Sequence, residues 1–279
     1  MVDCEMKDIM SSVDIAVLTL ELADRIVKQR IDNIYHILPK TFIIRLRPSG
    51  LRLLIEIERR MHLTQFNYPT PQKPSNFCMG LRKKLVGGVL ESVEQYEFER
   101  IVNLKISTSD GAFTLVAELF RRGNLIIVDP ENKVHSSLRY ARMRDRNVIR
   151  REPYQPAPLS GLNPLSADID RLQAMKELGD VTVLKALTSL LSTGPLYCRE
   201  ILLRSGIDTE TPAKGLVETQ FQAILDSISE LKIRIIKRRI DPVIVFDEAG
   251  AFLDVTPFPL KVYEGKPAKR FETYNEAAD

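Results

Sequence analysis

The spacing of apolar residues changes twice along the chain. Behind Ser11, apolar residues recur three and four positions apart, and a serine in front of such a pattern predicts a capped helix. From residue 34 to residue 128, apolar and polar residues mostly alternate between turn residues, which predicts antiparallel strands packed as a sandwich. One short helix is predicted within this part, over residues 77–85, where Gly87 and Gly88 stop it.

Prolines mark the next change of pattern, because residues 152–164 contain too many of them for regular structure. A helical hairpin is predicted over residues 187–202 and a long helix over residues 216–240. Strands are predicted again at residues 242–247 and 258–263, and we expect them to rejoin the first sheet.

The predicted fold class is therefore α+β. An antiparallel β-sandwich lobe with flanking helices is expected over residues 1–160, and a helical lobe with a helix-hairpin-helix over residues 161–240. Returning strands fill residues 241–279, whose last residues are typical of a helix that opens without a stop signal.

Glu99 and Arg100 stand side by side in what the pattern predicts to be a buried strand, residues 95–102. Charges among apolar neighbours need a reason, since the desolvation cost of an ion pair roughly cancels its attraction. They are either exposed charges on a strand that is apolar on one face, or part of a functional site. Asp14 has a structural explanation of its own, because it follows Ser11 at the spacing of a capping box, which does not exclude a functional role.

Positive charge is unevenly distributed, although the net charge of +3 indicates no partner by itself. Residues 139–151 hold six arginines and one acidic residue, Asp145, which is typical either of phosphate binding or of a solvated loop. With two smaller basic clusters, the candidate phosphate contacts are Arg82, Lys83, Arg121, Arg122, Arg142, Arg144 and Arg146.

Gly194 adds a candidate of another kind. With Pro195 it forms the turn of the predicted helical hairpin, where a helix N-terminus can present backbone N–H groups to phosphate oxygens. An ordinary hairpin without a ligand fits the same residues equally well.

Other site types find little support. The three cysteines and three histidines are scattered without metal-ligand spacing, so we expect no metal site, no disulfide and no cofactor. There is no nucleotide-binding motif, no hydrolase constellation, no run of 18 uncharged apolar residues and no signal-peptide pattern. We expect a cytoplasmic protein that does not bind membranes.

Taken in order, the motifs resemble the N-terminal region of the NFACT family, also called fibronectin-binding protein A-like, along essentially the whole chain. The shared features are the F-x-x-x-L-R-K-x-L helix at residues 77–85, Gln95-Tyr96 to Arg100, the Gly123-Asn124 turn before aliphatic residues, Tyr154 with its prolines, the helical hairpin, and residues 275–279.

This resemblance implies an RqcH-like factor of ribosome-associated quality control, of an archaeal type. Such factors act on the large ribosomal subunit and recruit tRNA, so that a stalled peptide gains a C-terminal tail. In whole family members a long coiled coil and an RNA-binding domain follow, so we expect this chain to be truncated at the start of the coiled-coil helix. The family fold is related to that of formamidopyrimidine-DNA glycosylases.

Carried over by position, the family's conserved Asp falls on Asp14 and its Asp-Arg pair falls on Glu99 and Arg100. These three are the predicted tRNA-binding residues, although Glu99 departs from the pattern by one methylene. Arg100 is expected to offer a planar fork to a phosphate or base edge. The two carboxylates are expected to orient it, or to accept from base amino or ribose hydroxyl groups.

Two alternatives remain open. A glycosylase or nuclease could use the same fold, but the chain begins Met1-Val2, without the N-terminal proline of the related glycosylases, so we expect no enzyme activity. The family's older name suggests adhesion to fibronectin, against which the missing export signal weighs.

Overall fold

The structure is a computed structural model that describes residues 9–279, so Cys4 and the residues at which the N-terminal proline is missing lie outside it. Nine antiparallel strands form one sheet in the order β4-β3-β2-β1-β5-β6-β7-β8-β9. The strands are β1 (Arg30–Leu38), β2 (Thr41–Arg47), β3 (Arg52–Glu56), β4 (Arg60–Leu63), β5 (Val89–Gln95), β6 (Ile101–Thr108), β7 (Gly111–Glu118), β8 (Leu125–Val128) and β9 (Val134–Ser137).

Two halves of this sheet share one apolar core. They meet where β1 pairs with β5, and Arg30 opposite Val89 is the register pair between them. Phe42 from the first half and Leu104 from the second belong to the same buried cluster as Leu18 of α1 (Ser12–Ile26). The α+β prediction is confirmed, and a hydrogen-bonded connection joins the two halves where separate sheets were expected.

A second apolar cluster covers the opposite face of β6, β7 and β8. Ile101, Val116 and Ile126 contribute to it from the sheet, and Val148 contributes from a small hairpin of β10 (Ala141–Arg142) and β11 (Asn147–Val148). This hairpin is thereby packed onto the sheet, although its tip is exposed.

The remaining helices are α2 (Asn76–Leu85), α3 (Ile169–Gln173), α4 (Val183–Leu190), α5 (Pro195–Arg204), α6 (Glu218–Ile236) and α7 (Tyr274–Ala278). The predicted hairpin is present as α4 and α5. The long helix α6 ends earlier than residue 240, because Arg238 adopts a positive φ of 51° that a helix cannot continue through. None of the helices within residues 9–279 combines the length and the apolar character needed to cross a membrane.

The returning strands do not rejoin the first sheet, which corrects that expectation. They are β12 (Val243–Phe246), β13 (Phe252–Thr256) and β14 (Ala268–Arg270), and they form a separate sheet in the order β13-β12-β14. The second strand was predicted over residues 258–263, where Lys261–Tyr263 is instead a short 3₁₀ turn. The Glu200 carboxylate accepts the N–H groups of Lys261 and Val262, which fixes this turn.

The closing helix α7 packs onto the first part of the chain. Glu21 of α1 accepts the N–H groups of Tyr274 and Asn275, and the Asn275 side chain accepts the N–H of Leu63 on the edge strand β4. Its N-terminus is capped by Thr273. Residues of α7 therefore bind to α1 and cover part of a strand edge.

Acid is expected to destabilise the fold through His62, whose side chain is fully buried. Burial lowers the pKa of His62 below its ordinary value of 6.5, so the unfolded chain takes up a proton below pH 6.5 that the folded chain does not. The free energy of unfolding then falls by up to about 1.4 kcal/mol per pH unit below that pH. Urea unfolding of the wild-type chain and of His62→Gln between pH 7.5 and 5 measures this. The slope should be flatter in the variant, and equal slopes would contradict the assignment.

Candidate nucleic-acid interface

A cleft of about 1100 Å³ opens where the turn between β5 and β6, the start of α1 and the turn between α4 and α5 meet. We call it the arginine cleft. Its lining includes Ser12, Glu99, Arg100, Arg121, Ser160, Ser192, Gly194 and Arg199.

Glu99 and Arg100 lie in the turn between β5 and β6, whereas the sequence pattern placed them within a strand. Strand β5 ends at Gln95 and β6 begins after Arg100. Glu97 and Phe98 have positive φ values of 45° and 62°, which no strand accommodates, and Phe98 is buried. The Gln95 amide holds the turn by donating to the carbonyl of Ser12 at 2.8 Å and to that of Glu99 at 2.9 Å.

The Glu99 carboxylate accepts hydrogen bonds from other segments of the protein. It is 8% exposed and accepts hydrogen bonds from the Ser160 backbone N–H at 2.5 Å, from the Ser160 hydroxyl at 2.8 Å and from the Ser192 hydroxyl at 3.1 Å. Ser192 belongs to the turn between α4 and α5, so Glu99 connects three segments of the cleft wall. This arrangement supports a role in positioning the wall.

Asp14 is fully buried and does not line the cleft. Its Oδ2 accepts from the Ser11 N–H at 2.7 Å and from the Ser11 hydroxyl at 2.8 Å, which completes the predicted capping box. Its Oδ1 accepts from the Tyr197 hydroxyl of α5 at 3.2 Å. Asp14 thus joins the N-terminus of α1 to α5, and its carboxylate is not presented to a ligand in the cleft.

Arg100 differs from these carboxylates. Its side chain is half-buried, and within residues 9–279 its guanidinium has no hydrogen bond or ion pair. Partial burial lowers the pKa of Arg100, because the charge loses water, and the nearby Glu99 charge partly offsets this. The backbone is fixed independently, since the Leu119 N–H donates to the Arg100 carbonyl at 2.8 Å.

Two further arginines line the cleft, Arg121 in the turn after β7 and Arg199 on α5. In the part of the chain that the structure describes, neither side chain has a hydrogen bond or ion pair. The sequence analysis missed Arg199. It could have been found from its position in the first turns of α5, the helix that begins after Gly194.

The N-terminus of α5 also faces the cleft. Gly194 has a φ of +81°, a conformation suited to glycine, and precedes Pro195 at the first helical position. Because the first N–H groups of a helix lack partners within that helix, this end carries a partial positive charge. The cleft therefore combines a helix N-terminus with three guanidinium groups that have no hydrogen bond or ion pair within residues 9–279. Its two carboxylates, Glu99 and Asp254, both accept hydrogen bonds from within the protein.

The sequence-family model of the NFACT N-terminal and middle domains matches residues 11–279 of this chain. The chain belongs to the NFACT family. The resemblance deduced from the sequence motifs is thereby confirmed over nearly the full length of the chain.

Relatives of this NFACT chain are longer than it is. The archaeal Rqc2 homolog aRqcH of Methanocaldococcus jannaschii is 29% identical over 287 residues, which cover 98% of this chain and 42% of that protein. The ribosome quality control complex subunit NEMF of Homo sapiens is 28% identical over 299 residues, which cover 98% of this chain and 28% of NEMF. The chain thus spans less than half the length of these two relatives.

A solved structure has the same fold as this NFACT chain. The N-terminal part of the fibronectin/fibrinogen-binding protein from Streptococcus suis superposes with a TM-score of 0.73 at 21% identity, and the match covers 97% of each chain.

The other candidate phosphate contacts of the NFACT chain fall into two groups. Arg82 was expected on an exposed cationic face, but its Nε donates to the Ile34 carbonyl at 2.6 Å. Arg146 is 7% exposed and binds both carboxylate oxygens of the buried Glu118, at 2.5 and 2.8 Å, so it is not available to a phosphate. The second group is exposed, and within the described residues its side chains have no hydrogen bond or ion pair. It consists of Lys83, Arg122, Arg142 and Arg144.

Proposed function

We propose that this chain is the tRNA-binding N-terminal module of a ribosome-associated quality control factor, and that tRNA binds in the arginine cleft. The complete factor would use it on the large ribosomal subunit, to bring tRNA for C-terminal tailing of the stalled chain. Membership of the NFACT family and the names of the archaeal and human relatives support the ribosomal part. The RNA-binding part rests on the half-buried guanidinium of Arg100, which has no hydrogen bond or ion pair within residues 9–279.

An arginine in this state favours an anionic ligand. Burying a charge costs free energy unless a partner compensates it, and residues 9–279 supply no hydrogen-bonding partner to this guanidinium. Two oxygens of a phosphate accept two parallel hydrogen bonds from one guanidinium, and these bonds offset the desolvation free energy when the ligand binds. Arg121 and Arg199 line the same cleft, so several phosphates of one RNA strand can be bound there.

The proposed role is binding without a chemical step. Ser160 and Ser192 both donate hydrogen bonds to Glu99 in the cleft wall, which accounts for the presence of these three residues without a reaction. Incubation with tRNA and with DNA that contains an abasic site tests this directly. We expect no cleavage and no covalent adduct, and either product would favour an enzyme.

Arg100→Ala is expected to weaken tRNA binding by roughly tenfold to a hundredfold, since a hydrogen bond to a charged group contributes about 1.5–3 kcal/mol. The slope of log affinity against log salt concentration should fall by about 1. The free energy of unfolding should not decrease, because the side chain has no polar partner in residues 9–279 to lose. Filter binding at several salt concentrations and urea unfolding measure these quantities.

Arg25→Ala is the matched control, because it removes the same charge from the other end of α1, about 20 Å along the helix from Ser12. We expect that variant to bind tRNA nearly as well as the wild-type chain. Equal affinities of the Arg100→Ala and Arg25→Ala variants would reject the cleft as the tRNA site. Capture of fibronectin without any capture of tRNA would reject the function itself.

A further inference from the structure

The six arginines of residues 139–151 serve two different purposes. Arg139 donates to the Gly123 carbonyl and pairs with Glu58, and Arg146 pairs with Glu118, so these two attach the segment to the sheet. The other four side chains are exposed, and within residues 9–279 none has a hydrogen bond or ion pair. These four are Arg142, Arg144, Arg150 and Arg151.

The β10–β11 hairpin holds its tip in a defined conformation. The Met143 N–H donates to the Arg146 carbonyl at 3.0 Å across the tip, and Val148 is fully buried against the sheet. The bidentate ion pair between Arg146 and Glu118 attaches the end of this turn to the large sheet. Arg142 and Arg144 are therefore presented by a preorganised support, which reduces the entropy that binding would cost.

Apolar side chains are exposed among these charges. Tyr140 is 50% exposed and Met143 is 44% exposed, next to Arg142 and Arg144. A single exposed apolar residue is ordinary. An exposed aromatic ring two residues before the exposed Arg142, however, fits RNA whose bases are unpaired, because such bases stack on aromatic side chains while arginines bind the backbone.

The point at which Arg146 attaches the hairpin to the sheet lies beside the arginine cleft. Glu118, which holds Arg146, is the register partner of Ile101, the residue after Arg100. The next residue, Leu119, donates its N–H to the Arg100 carbonyl. Neighbouring strands lie about 4.8 Å apart, so this attachment point and the backbone of Arg100 are at the same end of one strand pair. One RNA can therefore contact both.

We propose that the β10–β11 hairpin is a second RNA contact, which takes an unpaired stretch of the RNA bound in the cleft. Arg142 and Arg144 bind its phosphates, and the ring of Tyr140 stacks on one of its bases. This deepens the proposed function and rests on it, because it assumes that the RNA already occupies the neighbouring cleft.

The test uses the 279-residue chain and three RNA probes: a tRNA transcript, a uridine oligonucleotide and a fully paired RNA duplex. The double variant Arg142→Ala/Arg144→Ala should bind tRNA and the oligonucleotide on the order of tenfold more weakly. Its salt slope on the oligonucleotide should fall by about 1.4, from two lost phosphate contacts on a single strand. Arg25→Ala is the control for the loss of positive charge.

Tyr140 separates stacking from charge. Tyr140→Ala should weaken oligonucleotide binding roughly 5- to 150-fold, the fold-change that corresponds to about 1–3 kcal/mol for stacking one base. Tyr140→Phe, which keeps the ring, should bind as the wild-type chain does. Duplex binding should not respond to either substitution at Tyr140. All these side chains are exposed, so thermal unfolding curves are expected to match that of the wild-type chain.

The outcomes separate the two proposals. Unchanged tRNA and oligonucleotide affinities in the hairpin variants would overturn the second contact, and the cleft would stand if Arg100→Ala still weakens tRNA binding. If only the hairpin variants weaken binding, the cleft is rejected, and with it the proposal that the hairpin is a second contact to RNA bound there. Binding of polyglutamate as tightly as RNA, with no response to Tyr140→Ala, would identify an acidic protein surface as the partner and overturn the proposal.

Discussion

Arg146→Ala is expected to lower the free energy of unfolding by about 3–5 kcal/mol, because it leaves a buried charge without its partner. The partner is Glu118, which is fully buried and receives both hydrogen bonds of the guanidinium. The segment that follows Arg146 continues into the cleft wall, which Ala157 and Pro158 line. Loss of the ion pair should therefore disturb the cleft and lower RNA affinity as well. Urea unfolding followed by circular dichroism measures the first effect, and filter binding measures the second.

Arg144→Ala is the matched control for the stability effect. It removes the same kind of side chain two residues earlier, at the exposed tip, and should change the free energy of unfolding by less than about 0.5 kcal/mol. Replacing both members of the buried pair, as Arg146→Met with Glu118→Leu, should restore most of the stability, since no charge is then left buried. A loss in Arg146→Ala no larger than that in the control would show that the pair does not hold the hairpin.

Sequence pattern identified the elements whose spacing is regular. The period of about four residues behind Ser11 predicted α1, and the alternation of apolar residues predicted most strands of the large sheet. It misplaced Glu99 and Arg100, because the bend depends on positive φ values at Glu97 and Phe98, residue types that do not mark such a conformation. It also missed the separate sheet of β12, β13 and β14, since periodicity shows that a strand exists but not which strand it pairs with.

Candidate residues were harder to sort than elements. Arg142, Arg144 and Arg146 read alike in the sequence, as alternating cations in a basic stretch. In the structure the chain reverses between Arg142 and Arg146, so that Arg146 turns inward to Glu118. This ion pair joins residues 28 positions apart, so no pattern in the sequence around Arg146 predicts it.

Replacing Glu99 by alanine is expected to weaken tRNA binding although the carboxylate does not face the ligand. The side chain connects Ser160 and Ser192, so its loss should release the turn that carries Arg100 from the turn between α4 and α5. The free energy of unfolding should fall by roughly 1.5–3 kcal/mol, the usual contribution of a hydrogen bond to a charged group. Glu97→Ala, on an exposed side chain of the same turn, is the matched control.

The salt slope separates Glu99 from a residue that binds phosphate, and the free energy of unfolding separates a positioning role from direct contact with RNA. A positioning residue releases no counterions of its own, so the salt slope of Glu99→Ala should stay close to that of the wild-type chain, whereas Arg100→Ala lowers it by about 1. Glu99→Asp keeps the charge but is one methylene shorter, so it should reach Ser160 or Ser192 but not both, and its affinity should lie between those of wild type and Glu99→Ala. If Glu99→Ala weakened tRNA binding with no loss of stability, the carboxylate would be contacting the RNA itself.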